Sequence, residues 1–123
     1  DTLFRFGCGR IFEGTYDEMK KSLNKIEKLD DSINVYCGHE YTIHNLKFLK
    51  GIFHNDKKLD KIEQDVLKQI KNTKTSMPFN LGNEKKFNPF LSLKSPTYKN
   101  FMERKGFSSV EMFRYLRDLR NDY

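Results

Sequence analysis

The opening stretch DTLFRFG sets Leu3 and Arg5 against Phe4 and Phe6, an alternation that predicts a short strand stopped by the glycines of GCG. Thr15-Tyr16-Asp17-Glu18 then has the spacing of a helix-starting capping box, and Met19, Leu23, Ile26 and Leu29 follow at helical intervals. After the turn DDS, the apolar run INVYC predicts a buried strand ending at Gly38. A second helix is expected from Tyr41 to about Phe53, with Ile43, Leu46, Leu49 or Lys50, and Phe53 on one side. Beyond the polar break HNDKK, Leu59, Ile62, Val66 and Ile70 mark a third amphipathic helix.

Pro78, Gly82 and Pro89 break the pattern between Asn72 and Leu93, which predicts an extended connector pinned to the helix surface by Phe79, Phe87 and Phe90. A short helix is expected from Pro96 to Arg104, ended by Gly106. Ser108-Ser109-Val110-Glu111 forms another capping box, opening a helix with Met112, Phe113, Leu116 and Leu119 inward. Two strands lie near the N-terminus and nearly everything later is helical. Two strands do not make an independent sheet in water, so the expectation is a truncated chain whose sheet lies elsewhere.

At 123 residues the chain can build one modest core. No apolar run approaches the ~20 residues needed to span a bilayer, and no signal-peptide pattern opens the chain. Two cysteines, Cys8 and Cys37, cannot form a disulfide framework and suggest a reducing, intracellular setting. The net charge of +6 would suit a polyanion or a small anionic substrate. Charges of both signs are interspersed, however, and no nucleic-acid module accompanies them, so a solvated surface is the favoured reading. Neither a nucleic-acid nor a membrane partner is expected.

YCGHEYTIH, residues 36–44, resembles a zinc signature. The H-E-x-x-H motif works because residues four apart lie about 40° apart around a helix. His39 and His44 are five apart, roughly 140° on a regular helix, and cannot face one ion. His39 alone remains, placed after Gly38 at the carboxyl end of the predicted strand, where open α/β sheets collect catalytic groups. On spacing alone, a helix-start or surface histidine is the plainer alternative. His44 and His54 read as ordinary helix residues, and no C-x-x-C or H-x-H pairing supports a structural zinc site.

Four stretches in order, DTLFRFGCGRIFEGTYDEM, VYCGHEYTIHNLKF, NPFL and LRDLRNDY, resemble the C-terminal half of glyoxalase II, the hydroxyacylglutathione hydrolases of the metallo-β-lactamase fold superfamily. The resemblance implies an α+β piece: the last strands of a metallo-β-lactamase-type αββα sandwich, followed by an all-helical C-terminal domain. Residues 1–40 would be the remnant of the metallo-hydrolase domain and residues 41–123 the helical substrate-binding domain. The implied reaction is hydrolysis of S-D-lactoylglutathione and related thioesters to D-lactate and glutathione. Two divalent metals, zinc, iron or manganese, would share a water that ionises near neutral pH.

By the same resemblance Asp1 matches the carboxylate bridging the two metals and His39 a ligand of the second, and no catalytic residue beyond the metal ligands is implied. The other ligands belong to an upstream T-H-x-H-x-D-H motif and a further histidine, outside these residues. The missing N-terminal half is therefore an implied partner, and the piece alone should be nearly inactive. Arg10 matches a basic residue used on a glutathione carboxylate, and Tyr41 a tyrosine that hydrogen-bonds the glutathione backbone. Arg117 and Arg120 match an R-x-x-K pair that holds the glycine carboxylate, with arginine replacing lysine and offering a forked donor. Phe12 stands where some members have tyrosine, so a hydroxyl contact is lost. The cysteines are assigned to packing.

A cytoplasmic location is expected, and an organelle is compatible with the same features. The rival class is a non-enzymatic basic helical module that binds a polyanion, for which strong, salt-sensitive retention on a phosphate polymer would speak. A third option is another thioesterase or a persulfide dioxygenase of the same superfamily, against which the paired arginines argue.

Overall fold

A computed structural model describes residues 1–123. In chain order the elements are β1 (Leu3–Phe4), β2 (Gly7–Cys8), α1 (Tyr16–Glu27), β3 (Asn34–Val35), α2 (Thr42–Ile52), α3 (Lys57–Thr73), β4 (Phe79–Asn80), α4 (Leu81–Phe87), α5 (Pro96–Lys105) and α6 (Ser109–Asn121). Six helices thus accompany two small antiparallel ribbons, β1–β2 and β3–β4. No helix is long and apolar enough to cross a membrane.

The expected first strand is instead a tight hairpin. Leu3 pairs with Cys8 and Phe4 with Gly7, while Arg5 and Phe6 make the turn. Phe6 adopts a left-handed backbone (φ 61°), and its N–H donates to the buried Glu84 Oε2 at 2.6 Å. Leu3, Phe4 and Phe6 are all buried, so neither side of the apparent alternation faces water. That removes the contrast on which a strand reading depends. The second expected strand also shrinks, to Asn34–Val35 paired with Asn80 and Phe79. Its neighbours Ile33 and Tyr36 are exposed, because only a two-residue strand partners this apolar run.

The helices follow their predicted caps closely. Thr15 Oγ1 accepts from the Glu18 N–H at 3.1 Å and starts α1, although Glu18 does not return the bond to the Thr15 backbone. Leu23 is its fully buried residue, and Leu29 falls beyond the helix end and is exposed. Pro96 occupies the first turn of α5 and Gly106 ends α5 in the left-handed conformation, both as expected, while Asp56, not among the expected caps, starts α3. The Ser108–Glu111 box is complete in both directions. In α6, Met112, Phe113 and Leu116 are inward as expected, but Leu119 is exposed and Arg117 is buried.

Residues 72–93 are not a plain connector. After Lys74 in the left-handed region and a cis Met77–Pro78 bond, β4 leads directly into α4, which Asn80 caps by accepting from the Asn83 N–H at 2.9 Å. Phe79 and Phe90 are members of the core rather than surface pins, and Phe87 packs against it. Gly82 and two lysines disguise this seven-residue helix, whose buried contacts are only Leu81 and Glu84.

One cluster of 19 buried residues runs from Leu3 and Phe6 through Leu46, Leu49 and Phe79 to Leu116. Around it α2 packs on α3 and α1 on α6, and Phe53 meets the α5 rings of Tyr98 and Phe101 at 4.8 and 5.1 Å. Core leucines in such settings each contribute about 2–5 kcal/mol over alanine. This common core fixes the hairpin, the 36–41 loop and α6 relative to one another.

Candidate functional site

Asp1 enters the hairpin over a glycine. The Gly9 N–H donates to the Thr2 carbonyl at 2.9 Å, and a Cβ at Gly9 would lie 1.9 Å from the Asp1 carbonyl oxygen. Only a residue without a side chain lets these backbones pass. Asp1 Oδ1 then lies 3.9 Å from His39 Nε2, with both side chains about half exposed. A carboxylate and an imidazole at this spacing are a sound donor set for zinc, iron or manganese. No group of three or more His, Cys, Asp or Glu side chains converges in the structure.

Aromatic packing and a hydrogen-bonded clamp orient His39. Its ring stacks on Tyr41 (5.0 Å between centroids, 7° between planes), and buried Phe4 meets both rings edge-on at 5.8 and 5.0 Å. Glu40 accepts bonds from the Ser76 N–H and Oγ–H, both at 2.5 Å, and from the hydroxyls of Thr42 at 2.6 Å and Thr75 at 3.3 Å. These bonds outweigh desolvation and hold the Glu40 carboxyl below its usual range. Arg5 Nη1 donates to the Ser76 carbonyl at 2.6 Å and to Gln69 Oε1 at 3.0 Å. Ser76 therefore joins the hairpin that carries Asp1 to the loop that carries His39.

The four other expected residues fall into three kinds of environment. Arg117 is buried, its Nη1 donating to the carbonyls of Cys8 at 2.6 Å and Gly9 at 3.3 Å and its Nε to Asn121 Oδ1 at 3.2 Å. Arg120 keeps only one bond, from Nε to Asn45 Oδ1 at 3.1 Å, and lies 5.8 Å from the Tyr123 ring. Burial, followed by the nearby Arg117 charge, lowers its pKa. Arg10 is exposed and donates from Nη2 to the Asn121 carbonyl at 3.2 Å. Phe12 projects into solvent. The structure thus brings Asp1, His39 and Tyr41 together, and ties Arg10 and Arg117 jointly to Asn121.

Sequence reasoning passed over Phe4, Glu40, Asn45 and Ser76. Asn45 carried a usable signal, being a polar residue on the same face of α2 as Leu46 and Leu49 yet buried. Glu40 and Ser76 carried none, since their meeting depends on how α3 returns to the 36–41 loop. His44 sits against Tyr123 at 4.9 Å, where burial, followed by the charges of Arg120 and Lys47, lowers its pKa.

Residues 40–123 match the family described as "Hydroxyacylglutathione hydrolase C-terminus". A protein of Nitrobacter winogradskyi named hydroxyacylglutathione hydrolase is 43% identical over 121 residues, covering 98% of this chain and 48% of its own length. One of the same name from Bartonella tribocorum is 37% identical over 123 residues, or 100% of this chain and 49% of its own. Another from Crocosphaera subtropica is 45% identical over 96 residues, 78% of this chain and 37% of its own. The chain therefore spans about half the length of the curated relatives it matches.

Proposed function

The chain belongs to the hydroxyacylglutathione hydrolase family, and from that premise we propose that it forms the substrate-binding side and part of the metal site of a glutathione thioester hydrolase. The observation that carries this reading is the Asp1–His39 pair at 3.9 Å, backed by Tyr41 and locked through Glu40 and Ser76. The substrate is S-D-lactoylglutathione or a close relative. Water adds to its thioester carbonyl, the C–S bond breaks, and lactate and glutathione leave.

Asp1 and His39 would hold the metals, with the remaining ligands supplied by the rest of the protein. When bound, two divalent cations supply a Lewis acid and an acidified water. Tyr41 presents its hydroxyl beside His39, where a peptide group of glutathione can bond to it. Arg10 and Arg120 take the carboxylates, since both keep unpaired guanidinium nitrogens. Arg117 holds the Cys8–Gly9 carbonyls, so it fixes the hairpin on which Asp1 rides.

Residues 1–40 then belong with the metallo-hydrolase half, and residues 41–123 form the helical half. A family match beginning at residue 40 supports this division. Exposed Leu29, Ile33 and Tyr36 beside β3 support an additional layer, as an αββα sandwich would provide.

In the complete enzyme, replacing His39 by alanine should remove metal and turnover together, read by elemental analysis and thioester hydrolysis. Full metal loading with normal turnover would sink the assignment.

A further inference from the structure

We infer that Asn45 is the positioning residue that aims Arg120 at a substrate carboxylate, an inference resting on the reading of Arg120 given above. Asn45 lies on α2 and is 4% exposed. Its Nδ2 donates to the Arg5 carbonyl at 3.1 Å, and its Oδ1 accepts from Arg120 Nε at 3.1 Å. The two partners dictate the amide's orientation: an arginine can only donate, and a carbonyl can only accept. With both ends engaged in a buried place, the amide has no competing arrangement.

The consequence lies in what Arg120 has left. Its Nε is fixed on Asn45 and its charge lies 5.8 Å from the Tyr123 ring, while both Nη groups make no bond within the chain. A guanidinium held at one edge presents its other donors in a set direction, as a forked carboxylate receptor requires. Arg117, three residues away on the same helix, differs in having its Nη1 on the Cys8 and Gly9 carbonyls.

Asn45 also sets a distance. The carbonyl it holds is in the turn of the hairpin that begins beside Asp1, so one amide fixes the metal-bearing end relative to the carboxylate-binding end. Packing enforces this from the hairpin side: a Cβ at Gly7 would lie 2.5 Å from Asn45 Nδ2. A bound substrate spanning the two ends would meet receptors spaced in advance.

The test uses the complete enzyme and a double-mutant cycle of Asn45→Ala and Arg120→Ala, with S-D-lactoylglutathione as substrate and glutathione as product inhibitor. Asn45→Ala should raise KM and the glutathione inhibition constant about tenfold, with kcat within about twofold and metal content intact. In the double variant KM should be no worse than with Arg120→Ala alone, because the first change already disables the arginine. Independent, multiplying effects would overturn the inference while leaving the reading of Arg120 standing. An unchanged KM in Arg120→Ala would overturn both. Should Asn45→Ala fail to fold, Asn45→Asp keeps the side-chain shape and sets a negative charge against Arg120. Its KM should rise at neutral pH, because the new carboxylate competes with the substrate's for the guanidinium; an unchanged KM would again overturn the inference.

Discussion

Glu84 is a carboxyl group enclosed by protein, and its proton affinity is set accordingly. Burial pushes it up to about 7, against the N–H of Phe6, the amide of Asn88 and the charge of Arg5, which all favour the anion. A folded-state pKa above the unfolded value means that folding takes up a proton. The stabilising contribution is complete below pH ~4.5 and is lost as pH rises through about 7. Glu84→Gln keeps an acceptor for Phe6 and Asn88 without the charge. Its melting temperature relative to the parent should therefore climb between pH 5 and 8, by an amount equivalent to about 2–3 kcal/mol, as thermal melts across that range would read. A constant difference would remove the assignment. The two arginines of α6 should also separate by experiment. Arg117→Ala strands the Cys8 and Gly9 carbonyls and should lose roughly 2–3 kcal/mol in denaturant unfolding, whereas Arg120→Ala strands only Asn45 Oδ1 and should lose about 1 kcal/mol. The R-x-x-R spacing was visible in the sequence, but that Arg117 is directed inward was not. An arginine beside two apolar positions reads as a solvated head on a buried stem until its acceptors are placed.

At the scale of the elements, caps were the most legible feature, because their chemistry is local. Ser108 and Glu111 satisfy each other's backbone across one turn, so Ser108→Ala should cost about 1 kcal/mol and lower the melting temperature. Lys74 closes α3 in the left-handed region at φ 68°, where a side chain is strained. Lys74→Gly should stabilise the chain by ~0.5–1 kcal/mol, measured the same way; a loss would show that the lysine side chain contributes more than its backbone costs. Short elements were illegible for a different reason. The hairpin and α4 hold few residues each and acquire their shape from one another: Glu84 of α4 takes the Phe6 N–H, and Asn88 donates to the carbonyls of Phe4 and Gly7 at 3.3 and 3.0 Å. Sequence periodicity cannot report bonds between segments that far apart.

For the whole molecule, the family was readable because four ordered stretches carry it, and residues 40–123 bear it out. The layout of the site was not, since His39's loop is held where Glu40 accepts from Ser76, and Arg120 where it donates to Asn45, contacts that no single-sequence pattern announces. On the proposed assignment of Asp1 and His39 as metal ligands, the 123-residue chain alone should bind Zn²⁺ in the micromolar range or more weakly, and the complete enzyme far more tightly. Calorimetry on both would check this, and equal affinity would overturn the proposal that further ligands complete the site. The crossing of Asp1 over Gly9 has a consequence for any survey that replaces every position in turn and scores turnover. Position 9 should score there like a metal ligand, intolerant even of alanine, although glycine contributes no functional group. Such a map would flag chemistry at a place where the protein's only requirement is an empty space.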